Sequence, residues 1–192
     1  MWKTTLSKVK TCLTAMLVIT MLAAGCATQP GNDWRGKLAA ELPVLGHRNW
    51  ILIADSAYPA QSRAGIETIA TGADQIEVVK AILKSVDQAG HVRATVYLDA
   101  ELKYVSEEDA PGIDAYRKKL TTLLEKRAAK SLPHEELIAR LDEAAKTFRI
   151  LVLKTNLTLP YTSVFLELDC GYWNTEAEQK MRRAIREANK RQ

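Results

Sequence analysis

The sequence contains little cysteine. Its 192 residues include three, Cys12, Cys26 and Cys170. Cys12 lies in an N-terminal apolar segment and Cys26 directly follows that segment, so Cys170 is the remaining thiol in the body of the chain. One thiol cannot form an intrachain disulfide, and zinc sites built on two cysteines are excluded. The length predicts one domain, which is large enough to bury a core without cross-links.

Several motifs of familiar enzymes are also missing. The chain has no GxGxxG, no GxxxxGK[ST], no HExxH and no GxSxG. These motifs mark dinucleotide sites, phosphate-binding loops, zinc proteases and serine hydrolases, respectively. None of these classes therefore has support in the sequence.

The N-terminal segment lacks acidic residues. MWKTTLSKVK carries three lysines, and the apolar run CLTAMLVITMLAAG precedes Cys26. This order is typical of a secretory signal peptide, and the run is shorter than the roughly 20 residues of a membrane span. Residues 23–26 resemble a bacterial lipobox, which implies cleavage before Cys26 and a lipid on its thiol. The alternative is an ordinary signal peptide cut after Gly25 or Ala27.

Cleavage after residue 25 changes the charge of the protein. It removes three of the 27 basic residues and none of the 23 acidic ones, so the net charge falls from +4 to +1. A nearly neutral body does not support a nucleic-acid partner. We predict an exported protein, anchored by its lipid to the periplasmic face of the bacterial cell envelope. Ala27 after the cysteine resembles the sorting pattern that favours the outer membrane.

Strand-like and helix-like segments alternate along the body. WILIA (50–54) is apolar throughout and RILVLK (149–154) is apolar between its terminal Arg and Lys, as in strands buried on both faces. IETIA (66–70), VRATVYLDA (92–100) and SVFLELD (163–169) are the other predicted strands. This alternation predicts an α/β fold with a mixed or mostly parallel sheet that helices cover on both faces.

Capping residues place the predicted helices. They are a short helix over 37–45 disturbed by Pro43, a helix over 74–86, one after Pro111-Gly112, one capped by Ser131 with Pro133 in its first turn, and a terminal helix capped by Asn174. The predicted organisation is a signal peptide (1–25), a tether (26–36), one domain (37–173) and a helical extension (174–192).

Two segments resemble a known family. LGHRNWILIADSAYPA (45–60) resembles the segment of the D-ribose pyranase and L-fucose mutarotase (RbsD/FucU-like) family in which Gly-His precedes an apolar strand and an Asp. RILVLKTNLTLPYTSVFLELDCG (149–171) resembles its C-terminal signature, a buried strand, a loop ending in Tyr, and a last strand. The resemblance, over residues 37–173, implies an RbsD-like fold. It also implies interconversion of monosaccharide anomers or ring forms without metal or cofactor, and homo-oligomers, pentamers or decamers, with sites between neighbours.

The resemblance also implies the site residues. His47 is the acid/base group, Asp55 its partner, and Tyr161 supplies a hydroxyl at the rim. His134 matches a substrate-contacting position. Ser163 stands where the family usually has Asn, and a hydroxyl cannot reproduce the donor and acceptor of an amide. This departure leaves open a non-catalytic sugar-binding envelope lipoprotein, and a structural envelope protein is a third alternative.

The chemistry needs two proton-transfer groups. Ring opening of a hemiacetal takes a base at the anomeric hydroxyl and an acid at the ring oxygen, and His can serve either role near neutral pH. His47 and Asp55 would stand about 26 Å apart if the chain between them were extended. They share a site only if the flanking loops fold inward or if neighbouring subunits contribute one each. Asp55 also has a structural alternative, because Asp before Ser-Ala-Tyr-Pro stabilises a turn.

Exposed aromatic rings would give such a site a planar surface for a sugar. The candidates are Trp34, Trp50, Tyr58, Tyr161 and Trp173. The last helix carries a basic face, which is either solvated or lies against anionic lipid.

Overall fold

The computed structural model describes residues 33–190. The predicted signal peptide, the lipidation of Cys26 and most of the tether lie outside these residues and stay predictions. The strands are β1 (Trp50–Ala54), β2 (Ile66–Ala70), β3 (Val92–Asp99), β4 (Lys130–Leu132), β5 (Ile150–Lys154) and β6 (Val164–Cys170). The helices are α1 (Trp34–Glu41), α2 (Gln75–Ala89), α3 (Ile113–Leu124), α4 (His134–Ala144) and α5 (Thr175–Asn189).

The strands form one mixed sheet in the order β2-β5-β1-β6-β3-β4. β5 pairs in parallel with β1 and β2, and β3 pairs in parallel with β4. β6 runs antiparallel between β1 and β3. β1 is buried along its whole length, which explains its continuous apolar sequence.

Helices cover both faces of the sheet, as the sequence predicts. Alternate residues of β1 point to opposite faces, so Ile51 packs in one cluster with α1, α2 and α3, whereas Leu52 packs in the other with α4. α5 contributes no buried residue to either cluster. Within residues 33–190, none of the helices has the length and apolar composition to cross a membrane.

Two predicted boundaries are wrong. α1 begins at Trp34 and not at residue 37. Trp34 is buried in the core, and the Asp33 carboxylate caps the helix by accepting a hydrogen bond from the Gly36 amide (2.8 Å). Ser131 does not cap α4, because it pairs with Leu98 as the middle residue of β4.

Four other helix ends agree with the sequence. The Asp74 carboxylate caps α2, and Gly90 ends that helix with a positive φ of 66°. Gly112 precedes α3, and the Asn174 side chain caps α5 by accepting from the Ala177 amide (2.8 Å).

Candidate functional site

The predicted site residues lie at two opposite ends of the sheet. His47 precedes the extended strand β1, and Asp55 directly follows it. Asp55, His134, Tyr161 and Ser163 lie at the end where β1 and β3 finish, which we call the carboxyl end. His47 lies at the other, amino end. One chain therefore does not bring His47 and Asp55 together.

The sheet topology assembles the carboxyl end. The first residue of β6 pairs with Ile53 of β1 and with Leu98 of β3. Ser163, the residue before β6, therefore lies between the ends of these two strands. β1 is followed by Asp55, and β3 ends in Asp99. Two acidic residues thus flank Ser163 where the parallel strands end, a common position for sites in α/β proteins.

Asp99 and His134 form a partly buried pair at this end. The Asp99 side chain is fully buried, and its Oδ1 accepts a hydrogen bond from His134 Nδ1 at 3.0 Å. Both carboxylate oxygens of Glu101 accept from the His134 backbone amide, each at 3.0 Å. Because Asp99 holds Nδ1, the Nε2 atom of the ring is left for proton transfer.

The environment of Asp99 is unfavourable for a charge. Burial raises the pKa of Asp99 above its usual range, against the hydrogen bond and charge of His134, which lower it. The nearby charges of Glu101 and Asp55 raise it further. Asp99 Oδ2 is buried and has no hydrogen-bond partner among the described residues. A carboxylate held in this way is typical of functional sites.

Tyr161 stands beside this pair. Its ring meets the His134 ring edge-on, with the centroids 5.6 Å apart at 85°, and 42% of the residue is exposed. Its φ of 54° is in the left-handed region, which costs a non-glycine residue about 1 kcal/mol or more. The loop therefore holds Tyr161 in an unfavourable backbone conformation, and the phenol lies next to the imidazole of His134.

A buried glutamine anchors the loop that carries Tyr161. Gln75 Nε2 donates to the Thr162 carbonyl (2.5 Å), and Gln75 Oε1 accepts from Thr155 Oγ1 (2.8 Å). Tyr116 Oη donates to the same Thr162 carbonyl at 2.8 Å. Both ends of the segment between β5 and β6 are therefore fixed to α2.

Asp55 has a structural contact, and Ser163 is buried. Asp55 Oδ1 accepts from the Ala57 amide at 2.8 Å, which is the turn-stabilising role that the sequence leaves open. Asp55 also acts electrostatically on Asp99. Ser163 is 2% exposed, so it forms part of the floor of the site and not its rim.

His47 has a carboxylate partner of its own at the amino end. His47 Nδ1 lies 2.9 Å from Asp169 Oδ1, and its Nε2 accepts from Arg48 Nε at 3.2 Å. Asp169 pairs across the sheet with Arg93, whose Nε lies 3.1 Å from Asp169 Oδ2. Burial raises the pKa of Asp169, but the hydrogen bonds from Arg93, the Cys170 amide and His47 outweigh it and hold the pKa below its usual range.

Three of the five aromatic candidates are excluded as sugar platforms. Trp34, Trp50 and Tyr58 are buried in the core, where they fill space between the sheet and its helices. Tyr161 and Trp173 remain exposed, one at each end of the sheet. No group of three or more His, Cys, Asp or Glu within residues 33–190 is arranged to hold a metal ion.

Sequence reasoning missed the two carboxylates that hold the histidines. Asp99 has a detectable signal, because WILIAD and VYLD are both apolar strands that end in Asp. When two parallel strands each end in Asp, the two carboxylates lie at the same end of the sheet. Asp169 has no such signal, since its contact with His47 depends on the pairing of β6.

The sequence profile of the RbsD / FucU transport protein family matches residues 35–170. Bacillus subtilis RbsD, solved with D-ribose, has 21% identity and a TM-score of 0.52, over 76% of this chain and 99% of that one. The fucose mutarotase of Streptococcus pneumoniae, solved with L-fucose, has 19% identity and a TM-score of 0.48, over 69% and 91%.

FucU from Bifidobacterium longum has 20% identity and a TM-score of 0.48, over 70% of this chain and 94% of that one. No curated protein is similar enough to count as a match. At 21% identity, the B. subtilis structure supports the fold and not the function. Because the family profile covers most of the sequence, the chain belongs to the RbsD / FucU family.

Proposed function

We propose that this protein interconverts the anomers, or the pyranose and furanose forms, of a monosaccharide by histidine acid/base catalysis and without a cofactor. Membership of the family and the ribose complex of the B. subtilis protein support the class of ligand. The observation that carries the proposal is the pair of a buried Asp99 and a partly exposed His134 beside the exposed phenol of Tyr161.

The pair suits the opening of a hemiacetal ring. A base removes the proton of the anomeric hydroxyl, the anomeric carbon becomes a carbonyl, its bond to the ring oxygen breaks, and an acid protonates that oxygen. Closure on the other face or by another hydroxyl reverses these transfers. Asp99 orients His134 so that Nε2 can exchange the proton.

A second proton-transfer group comes from the other end of the sheet. Asp169 holds Nδ1 of His47 as Asp99 holds Nδ1 of His134. The exposed Arg48 side chain, which donates to Nε2 of His47, has to move aside for this nitrogen to exchange a proton with a sugar. Because the two histidines lie at opposite ends of one chain, both can serve one sugar only if a second copy contributes His47. The proposal therefore includes a homo-oligomer with sites between subunits.

A sugar-binding protein without catalysis is the second candidate. Ser163 favours it, because this residue is buried and offers a hydroxyl where the family usually has the amide of Asn. Binding without accelerated exchange would support this alternative.

NMR saturation transfer between the α and β anomers of fucose, ribose, galactose and glucose tests the proposal. We expect faster exchange of at least one sugar, by about 10²–10⁴-fold over the spontaneous reaction. His134→Ala should abolish the acceleration.

His91→Asn is the matched control, since the two ring nitrogens of His91 form hydrogen bonds only with the backbone carbonyls of Ala89 and Leu45. It should keep the acceleration. No acceleration of any of the four sugars by a folded oligomer would overturn the enzymatic proposal for them.

A further inference from the structure

A cleft of about 620 Å³ lies at the amino end, between the sheet and the C-terminal segment. This volume is within the range of about 300–1,000 Å³ that ligand sites occupy. Its lining includes His47, Arg93 and Asp169 on the domain side, and Trp173, Glu178 and Arg182 on the C-terminal side. The cleft therefore places an acid/base candidate next to an exposed indole.

The C-terminal wall of the cleft lies outside the family segment. The family match ends at residue 170, whereas α5 spans Thr175–Asn189. No residue of α5 is buried, so this helix adds little to the core. What α5 adds is surface to the cleft.

Trp173 is held in place at this wall. Its Nε1 donates to Glu178 Oε2 at 2.8 Å, and Glu178 Oε1 accepts from Arg182 Nε at 2.6 Å. These hydrogen bonds from Trp173 and Arg182 lower the pKa of Glu178, so the acceptor is ionised at neutral pH. The indole remains 43% exposed and offers an ordered planar surface to a ligand.

The charges of the cleft are balanced. Arg93 is paired with Asp169, and Arg182 is paired with Glu178. With both cations paired, the described lining offers no spare positive charge to a phosphate or carboxylate group. Polar groups beside an aromatic face suit a ligand with hydroxyls on its edge and C–H bonds on its face.

We propose that this cleft binds an uncharged monosaccharide ring that stacks on Trp173 beside His47, so that α5 is a substrate-binding element added to the family fold. The class of ligand and the role of His47 rest on the proposed function. Stacking on Trp173, and the positioning of Trp173 by Glu178 of α5, go beyond that function.

Titration calorimetry with methyl glycosides of ribose, fucose, galactose and glucose tests this site. The methyl group blocks ring opening, so binding is measured without catalysis. At least one glycoside should bind, and Trp173→Ala should weaken its affinity about tenfold. Trp173→Phe keeps an aromatic face and should stay within about threefold of the wild type.

Ile185→Ala is the matched control, because Ile185 is an exposed apolar residue of α5 that does not line the cleft. It should leave the affinity unchanged. The inference is overturned if none of the four glycosides binds, or if Trp173→Ala keeps the affinity of the wild type.

Fluorescence quenching gives a readout in the unaltered protein. Acrylamide quenches exposed indoles, and Trp173→Phe identifies the part of the signal that Trp173 contributes. A bound glycoside should protect this part, and binding without protection would contradict stacking on Trp173.

The outcomes separate the two proposals. Trp173-dependent glycoside binding without anomer exchange would reject the catalytic function and keep this site. Accelerated exchange with a KM that Trp173→Ala does not change would reject this site and keep the function.

Discussion

Asp99 is the residue on which the carboxyl-end cluster depends. Its Oδ1 accepts from His134, while Oδ2 is buried without a hydrogen-bond partner among the described residues. An unsatisfied buried carboxylate oxygen lowers stability, because its hydration is lost without replacement. A residue that costs stability and orients an imidazole is more useful to proton transfer than to folding.

Replacing the Asp99 carboxylate should lower activity without lowering stability. We expect Asp99→Asn to lower the kcat of anomer exchange by about 10–100-fold with little change in KM, since the amide holds the ring but does not stabilise its protonated form. Asp142→Asn, which changes an exposed carboxylate of α4, should leave kcat unchanged.

The pH dependence of stability gives this prediction a second readout. The pKa of Asp99 is higher in the folded protein than in the unfolded chain, so the folded protein binds a proton at Asp99 more readily. The wild-type protein therefore loses stability as the pH rises through the folded-state pKa. Asp99→Asn should therefore gain stability relative to wild type at pH 7, and the gain should shrink as pH falls. Unfolding by urea at several pH values checks this. Equal kcat for the variant and wild type would refute the positioning role.

At the scale of elements, the segment between β5 and β6 determines where Tyr161 lies. Its fixed points are the contacts of Gln75 with Thr155 and Thr162. These contacts are buried, so the left-handed backbone of Tyr161 is maintained by the surrounding structure.

Gln75→Leu should loosen this segment. We expect a loss of about 1–3 kcal/mol in the free energy of unfolding, because the variant leaves buried partners unsatisfied. Amide hydrogen exchange in residues 155–163 should accelerate, and kcat should fall as Tyr161 loses its position. Gln88→Leu, an exposed position of the same helix, should change neither quantity. Unchanged exchange in Gln75→Leu would show that other contacts fix the loop.

The long elements are predictable from sequence and the short ones are not. β1 and β5 are recognisable because central strands are apolar throughout, and α2 has an acidic cap, one apolar face and a terminal Gly90. β4 has only three residues, two of them exposed, so nothing distinguishes it from a helix cap. Asp99 could have been found from the Asp that ends its strand, but its contact with His134 depends on the turn between β4 and α4. The contact of Asp169 with His47 depends on sheet pairing, which no local pattern encodes.

In the whole molecule, His47 and His134 lie at opposite ends of the sheet, so one chain alone does not bring them to the same sugar. β1 lies between His47 and Asp55, and an imidazole held by a carboxylate lies at each end of the sheet. A subunit arrangement that brings the amino end of one copy to the carboxyl end of another would complete the site.

The export and lipid anchor at Cys26 remain proposals that rest on the lipobox resemblance. Mass spectrometry of the mature N-terminus tests them, since a diacylglyceryl group on Cys26 is the expected result. An unmodified N-terminus after Gly25 or Ala27 would support an ordinary signal peptide.

Anomer exchange by mixed oligomers shows whether one site uses His47 of one copy and His134 of another. His47→Ala and His134→Ala should each be inactive alone. After the two are unfolded and refolded together, about a quarter of the inter-subunit sites should carry both histidines, and a matching fraction of wild-type exchange should return. Mixed oligomers that stay inactive, although each variant folds and assembles and wild type refolds to full activity, would contradict a site shared between copies.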